Sequence, residues 1–271
     1  MRSLQQVLDW PVKNAAAAVV TAGGASTVGD TERVFRLASV TKPLVAYATL
    51  VAIEEGAVEL DQPAGPPEST VRHLLAHTSG VAFATPEVLA APGARRIYSS
   101  AGFELLADFL TAQTGIEFPD YLREAVFEPL GMTTAVLDGS AGHAGSASLA
   151  DLTLFAAELL APQLISRQTL AEATSVQFPD RDGVLPGYGS QRPNDWGLGF
   201  EIRDGKTPHW TGTANSARTY GHFGQSGTCL WVDPEIGVAT IALSDENFGD
   251  WARTAWPKLS DSVIAETQNT Q

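Results

Sequence analysis

SVTKPLVAYATLVAI, residues 39–53, is the strongest structural signal in the chain. From Pro43 to Ile53 only Tyr47 and Thr49 carry polar groups, and a helix that is apolar almost all round belongs in the centre of a protein. Proline is tolerated only in the first turn of a helix, so this one begins close to Ser39. The stretch therefore predicts a central helix with a hydroxyl at its start.

The segments on either side of this helix differ in their periodicity. Residues 15–22 and 33–38 predict strands in a hairpin-like start, separated by two glycine-containing turns. Helical patterns follow at 70–77, 102–114, 119–127, 149–160 and 167–174. After Trp196 strand patterns return at 198–202, 218–232 and 238–243, before a last helix with an apolar stripe at Trp251, Ala255, Leu259 and Val263.

This order predicts an α/β (α+β) fold in which both termini build one antiparallel sheet that is flanked by helices. We expect residues 1–64 and 196–271 to form the α/β lobe, and residues 65–195 to form an inserted, mostly helical lobe. A cleft between two lobes is a common position for a small-molecule site.

Composition narrows the classes of partner. The 271 residues are 44% apolar and carry a formal net charge of -14, which argues against nucleic acid and anionic membranes because phosphate binding relies on clustered cations. The single cysteine, Cys229, excludes an internal disulfide and lies in an apolar run that indicates a buried thiol. Residues 1–10 have no apolar signal-peptide region, and we find no transmembrane span, so we expect a cytoplasmic protein.

Ser39 and Lys42 form the first candidate for chemistry. Residues three apart share one face of a helix, and burial can lower the pKa of a lysine by roughly 3 to 5 units, which makes it a proton acceptor near neutral pH. The helix N-terminus also favours negative charge that develops on the serine. The same spacing occurs by chance about once in a chain of this length, in which case Ser39 would only cap the helix.

Two more segments support the chemical interpretation. Tyr98-Ser99-Ser100 precedes an apolar helix, and residues 220–228, YGHFGQSGT, form a glycine-rich strand that lets a ligand approach its backbone. Ser-x-x-Lys, a second polar triad and a basic-x-Gly strand are together typical of β-lactamases and penicillin-binding proteins.

From about residue 15 to 247 the sequence resembles the serine β-lactamase and penicillin-binding protein superfamily. Its pattern is closest to class C β-lactamases, D-alanyl peptidases and family VIII carboxylesterases. Three further stretches resemble the family as well: HLLAHTSG at 73–80, FEPLGM at 127–132 and SLADL at 148–152.

The resemblance implies roles for individual residues. Ser39 would be the nucleophile, and Tyr98 beside Lys42 would handle the proton, with either of the two as the acceptor. Backbone N–H groups of Ser39 and Gln225 would form the oxyanion hole. The substrate-binding residues would be Ser100, His222, Gly224 and Ser226.

Two positions depart from the β-lactamase pattern. His222 stands where β-lactamases carry a lysine, so a permanent cation for the substrate carboxylate is missing unless His222 is protonated or Arg218 helps. Ser100 stands where they carry an asparagine that binds the acylamino group of the substrate. Both departures weaken the antibiotic-hydrolysis interpretation.

The sequence therefore predicts a serine hydrolase that acts on a small ester, amide or lactam, without a cofactor and without metal. Small esters or amides are the leading substrates; the alternatives are a β-lactamase or D-alanyl-D-alanine peptidase, and a catalytically silent ligand-binding homologue. His73 and His77 have the spacing of a zinc pair but lack the intervening glutamate, so we expect no metal, no nucleic acid and no membrane partner.

Overall fold

The computed structural model describes residues 1–269. Its strands are β1 (Ala15–Thr21), β2 (Gly24–Val28), β3 (Val34–Arg36), β4 (Val136–Leu137), β5 (Gly145–Ser148), β6 (Gly183–Leu185), β7 (Gly189–Gln191), β8 (Glu201–Ile202), β9 (Tyr220–Gly224), β10 (Thr228–Asp233) and β11 (Val238–Ser244). Its α-helices are α1 (Thr41–Glu54), α2 (Val71–Leu75), α3 (Ala101–Thr114), α4 (Phe118–Leu122), α5 (Glu128–Leu130), α6 (Leu149–Leu160), α7 (Arg167–Ala173) and α8 (Asp250–Gln268).

The main sheet has six strands in the order β2-β1-β11-β10-β9-β8, and every neighbouring pair is antiparallel. The two ends of the chain meet in this sheet, since β1 near the N-terminus pairs directly with β11 near the C-terminus. The predicted α/β fold with one antiparallel sheet from both termini is therefore confirmed. The division into lobes at residues 64 and 195 stays a prediction; α6, from the middle of the chain, packs on β1 and β11.

Both faces of the main sheet are buried. Successive residues of a strand point to opposite faces, and in β1 Ala16 and Ala18 join the core beneath α1 while Ala17 and Val19 join the core beneath α8. In β10 Cys229 lies on the α8 face and is buried, as its apolar run predicts. Burial raises the pKa of the Cys229 thiol to about 12.

Helix α1 passes through the core, with every residue from Thr41 to Ala52 buried. Gly56 follows its end with φ at +74°, a conformation that glycine adopts without strain. The apolar sequence therefore forms the predicted central helix. Across residues 1–269 no helix has the combined length and apolar character that crossing a bilayer requires.

Three predicted elements differ in the structure. The first strand turns back into β2, and residues 34–36 pair with β5 in a separate three-stranded sheet, so the two predicted strands are not a hairpin. The predicted strand 218–232 is divided into β9 and β10 by a turn at residues 225–227. In α8 the fully buried stripe contains Trp256, while Trp251 and Ala255 are only partly buried.

Candidate active site

Ser39 lies in a single 3-10 turn, Ala38–Val40, directly before α1. Ala38 has φ at +45°, in the left-handed region that a residue with a side chain seldom adopts. Strained backbone of this kind persists where surrounding contacts hold it in place. Here Ser226 and Thr228 donate hydroxyl hydrogen bonds to the carbonyls of the preceding residues, at 2.6 Å to Arg36 and 2.8 Å to Leu37.

Gly224, the last residue of β9, allows that turn to lie against the sheet. A Cβ atom at this position would be 2.2 Å from the carbonyl oxygen of Leu37 and 2.6 Å from Oγ1 of Thr228. The missing side chain of Gly224 therefore makes room for the protein's own backbone and not for that of a ligand. Gly224 and Ser226 contact the segment that carries Ser39, and neither residue borders the pocket described below.

Lys42 is fully buried in the first turn of α1. Its ammonium donates hydrogen bonds to the carbonyl oxygen of Gly142 at 2.8 Å and to Oγ of Ser100 at 3.1 Å, and it lies 4.5 Å from the centre of the Tyr98 ring. Burial lowers the pKa of Lys42 to about 7, against a smaller opposing effect of the Glu104 charge. Lys42 can therefore exchange a proton at neutral pH.

Glu104 on α3 holds the loop that faces Lys42. Its carboxylate accepts hydrogen bonds from the hydroxyl of Ser140 and from the backbone N–H groups of Ala141 and Gly142, the latter at 3.2 Å. The carbonyl of Gly142 in turn accepts from Lys42. Glu104 thus acts on the lysine through its charge and through the loop.

The backbone on both sides of Tyr98 is bound to one residue, His77. The N–H of Ile97 donates to the carbonyl of His77 at 2.8 Å, and the N–H of Ser99 donates to Nδ1 of the same histidine at 3.1 Å. The His77 ring also lies 4.7 Å from the Tyr98 ring. Burial lowers the pKa of His77 well below its ordinary value, so its ring is neutral and Nδ1 is free to accept.

The phenol of Tyr98 lies between the nucleophile and the sheet. Its oxygen is 3.2 Å from Nε2 of His222. Burial raises the pKa of Tyr98, and hydrogen bonding to the Ser39 side chain lowers it by a smaller amount. Burial also lowers the pKa of His222 to about 3. Both groups are therefore uncharged at neutral pH, and His222 supplies no cation at the position where the resemblance implies one.

A pocket of ≈ 320 Å³ opens over these groups. Four residues that the sequence predicts for the site border this pocket: Ser39, Tyr98, His222 and Gln225. The rest of its wall is formed by Phe83, Leu185, Pro186, Trp196, Glu201 and Phe223. Gln225 is held by Phe248, which donates its N–H to the Gln225 carbonyl at 2.9 Å. Arg218 does not border the pocket, and the Ser100 hydroxyl lies against Lys42.

Glu104, Gly142 and His77 were not assigned functional roles from the sequence. Each contacts a site residue that is 22 to 100 positions away in the chain. Only His77 lies in a stretch that the family resemblance marks. The two histidines have different partners: Nδ1 of His73 lies 2.8 Å from the hydroxyl of Thr70, and Nδ1 of His77 accepts from the N–H of Ser99. Within residues 1–269, no group of three or more His, Cys, Asp and Glu side chains could hold a metal ion.

Comparison with known proteins extends the likeness over nearly the whole chain. A crystal structure of a β-lactamase (Mb2281c) from Mycobacterium bovis is 59% identical, with a TM-score of 0.97, and the match covers 98% of this chain and 99% of that one. The fold is therefore the β-lactamase/transpeptidase-like fold that the resemblance implies.

Two curated relatives match shorter parts of the chain. A protein of Escherichia coli O157:H7 named as a D-alanyl-D-alanine carboxypeptidase is 24% identical over an alignment of 212 residues, and the match covers 57% of this chain and 46% of that protein. Esterase EstB of Burkholderia gladioli is 36% identical over an alignment of 85 residues, and that match covers 26% of this chain and 20% of the esterase. The chain thus spans less than half the length of either relative.

The family model described as Beta-lactamase matches residues 11–263, a range that includes every residue of the site described above. That match and the M. bovis structure lead to the same assignment, and the chain belongs to the β-lactamase family of serine hydrolases.

Proposed function

We propose that this hydrolase forms an acyl-enzyme on Ser39 and hydrolyses small esters or amides. One observation carries the proposal: the amine of Lys42 is buried one helical turn from Ser39 and has a pKa of about 7. At neutral pH about half of the molecules hold a neutral amine, and such an amine can accept the proton of a serine hydroxyl.

Lys42 is the better candidate for the acylation base. A neutral amine has two N–H bonds, and the contacts to Ser100 and to the Gly142 carbonyl use both of them. Its lone pair is then left for the proton of Ser39. The phenol of Tyr98 has a raised pKa and stays protonated, which suits it to donate rather than to accept.

The reaction then follows from these roles. The Ser39 oxygen attacks the substrate carbonyl while its proton moves to Lys42, and backbone N–H groups of Ser39 and Gln225 bind the oxyanion. The bond to the leaving group breaks as that group takes a proton from the Tyr98 hydroxyl, and Tyr98 is reprotonated by the Lys42 ammonium. Water next attacks the acyl carbonyl and gives one proton to the Lys42 and Tyr98 pair; the bond between the carbonyl and the Ser39 oxygen then breaks, and Ser39 takes that proton back as the acid is released.

Esters fit the site better than β-lactams do. A lactam carboxylate would find no cation on β9, because His222 is neutral at any pH well above 3. The hydroxyl of Ser100, the other predicted contact for such a substrate, is hydrogen-bonded to Lys42. An ester with a good leaving group needs neither contact.

The second candidate function is β-lactam or D-alanyl peptide hydrolysis. The names of two relatives favour it: the M. bovis protein is called a β-lactamase, and the E. coli protein is named as a D-alanyl-D-alanine carboxypeptidase. The identity of 59% to the first gives this candidate its weight.

Steady-state kinetics with p-nitrophenyl butyrate and nitrocefin distinguish the candidates, with Ser39→Ala as the inactive control. We expect turnover of the ester that depends on Ser39, and nitrocefin turnover lower by one to a few orders of magnitude, since each lost hydrogen bond to a charged group costs roughly 10- to 100-fold. Efficient nitrocefin hydrolysis with negligible ester hydrolysis would establish the second candidate. Absence of both would favour a ligand-binding homologue.

A further inference from the structure

A second cavity, of ≈ 820 Å³, adjoins the pocket over Ser39. The two cavities share Phe83, Tyr98 and Pro186 in their walls, so they lie side by side at Tyr98. Charged residues line that cavity: Arg95, Arg96, Arg181, Arg192, Asp180 and Asp182.

Four arginines against two aspartates make this cavity cationic in a protein of strongly negative charge. The whole chain has 17 lysines and arginines against 31 acidic residues and a formal net charge of -14. Nothing in the proposed reaction uses these arginines. A local excess of cations in a concave site attracts anions because the surrounding protein focuses the field.

The arginines are not equally engaged by the protein. Arg96 is buried, and its guanidinium donates to the carbonyls of Ala76, Gln177 and Phe178, so it is structural. Arg192 lies 3.5 Å from Asp182, and both side chains are mostly exposed, so that ion pair is weak.

Two arginines are available to a ligand. Arg181 donates through Nε to the carbonyl of Gly93 at 2.6 Å, which fixes its direction, and its terminal nitrogens have no hydrogen bond or ion pair with residues 1–269. Arg95 has no hydrogen bond or ion pair with any residue in the range 1–269. A guanidinium fork matches a carboxylate through two parallel hydrogen bonds.

Exposed apolar side chains also border the two cavities. Phe83, which borders both, is 57% exposed, and Val184, which borders the larger one, is 58% exposed. An apolar ligand segment would cover them. The order along the cleft is therefore a reacting carbonyl, an apolar body and an anionic end.

We propose that the arginine-lined cavity binds a carboxylate of the substrate, so that the preferred substrates are esters or amides with an apolar body that ends in a carboxylate. This proposal rests on the proposed hydrolase function and adds the substrate class. It also assigns the carboxylate to Arg95 and Arg181 in the larger cavity, whereas the neutral His222 borders the pocket over Ser39.

Matched esters test the proposal. Mono-p-nitrophenyl adipate and p-nitrophenyl hexanoate carry the same leaving group and six acyl carbons, and differ in the terminal carboxylate. 4-Acetoxybenzoate and its methyl ester place the charge on the leaving group instead. We expect kcat/KM for the anionic member of one pair to exceed that for its neutral partner by about 10- to 100-fold, the effect of a charge-assisted hydrogen bond. The pair that shows the preference identifies which end of the substrate carries the charge.

Arg95→Gln, Arg181→Gln and the double variant that combines them should remove most of this preference, because they should lower kcat/KM for the anionic ester far more than for the neutral ester. Arg167→Gln, on the exposed surface of α7, is the matched control and should keep the preference for the anionic ester. Higher salt should weaken the preference, because exposed charges are screened. The proposal would be overturned if the wild type had the same kcat/KM for the anionic and the neutral ester in both pairs. It would also be overturned if the double variant kept the wild-type ratio of these values.

Binding measurements separate this proposal from the proposed function. Calorimetry with adipate needs no turnover, and we expect adipate to bind the wild type and Arg167→Gln at least 10-fold more tightly than the double variant. Ser39-dependent hydrolysis of the hexanoate without any adipate binding would refute the carboxylate site and leave the hydrolase assignment intact. Adipate binding without hydrolysis of any ester would support the carboxylate site and refute the hydrolase function.

Discussion

The phenol oxygen of Tyr98 lies 3.2 Å from Nε2 of His222, and burial keeps both groups uncharged at neutral pH. This contact joins the irregular segment directly before α3 to strand β9, and both residues border the pocket over Ser39. The only site group left to change its charge near pH 7, among the residues that the structure describes there, is Lys42.

The first prediction concerns the pH dependence of kcat/KM for p-nitrophenyl acetate. Lys42 must be deprotonated to accept the proton of Ser39, so kcat/KM should rise with pH through about 7 and then level off. His222→Gln should lower the plateau and keep the midpoint, because histidine with a pKa of about 3 does not titrate there. Loss of the midpoint in that variant would identify His222, with its ordinary value of 6.5, as the titrating group.

The second prediction concerns Glu104→Gln. The negative charge of Glu104 favours the ammonium form of Lys42, so its removal should lower the pKa of Lys42 and shift the midpoint of the kcat/KM profile to lower pH. Asp108→Asn, an exposed carboxylate on the same helix, is the control and should leave the midpoint in place. A midpoint that moves upward or stays fixed in Glu104→Gln would contradict the electrostatic role.

The third prediction is that Lys42→Met strongly slows acylation and stabilises the fold. A buried cation is costly, and its replacement by an apolar side chain should raise the free energy of unfolding at pH 7 by about 1 to 4 kcal/mol. The folded pKa of about 7 is below the ordinary value of 10.5, so wild-type stability rises as pH increases from 7 to 10.5.

The stability difference between Lys42→Met and the wild type should therefore be largest at pH 7 and below, and should narrow towards pH 10. Denaturant titrations of both proteins at pH 6.5 and 9.5 measure it. A variant less stable than the wild type at both pH values would show that the hydrogen bonds of Lys42 outweigh the cost of its burial.

The fourth prediction concerns Gly224→Ala. The new Cβ would lie 2.2 Å from the Leu37 carbonyl, so the turn that carries Ser39 must move away from β9. We expect a loss of about 1 to 3 kcal/mol in the free energy of unfolding and a fall in kcat of at least 10-fold. Gly205→Ala has open space around the added atom and should match the wild type in both measurements.

The elements that the sequence predicts well are those with local causes. The apolar run of α1 and the helical pattern at 149–160 depend on residues within a few positions of each other, and both helices form as predicted, the second with a capping box of Ser148 and Asp151 at its start. Strand β2 was missed because it is an edge strand of small and polar residues, most of them exposed, which lack the alternation of a half-buried strand.

The supporting contacts of the site have no local signal. The carbonyl of Gly142 accepts a hydrogen bond from Lys42, which is 100 residues away in the chain. Every residue has a backbone carbonyl, so the sequence does not show which one will make such a contact. The low pKa of His222 follows from complete enclosure by the fold, whereas an isolated histidine would titrate near 6.5. Sequence could therefore suggest the reacting groups, while their charge states required the structure.

The most direct test of the central claim is to trap the acyl-enzyme and locate it. A fluorophosphonate probe or a slowly hydrolysed ester is added at pH 7.5, and intact-protein mass spectrometry is followed by peptide mapping. We predict one adduct per chain on the peptide that contains Ser39, slow adduct formation in Lys42→Ala, and none in Ser39→Ala. An adduct on another residue, or labelling that persists in Ser39→Ala, would contradict the account.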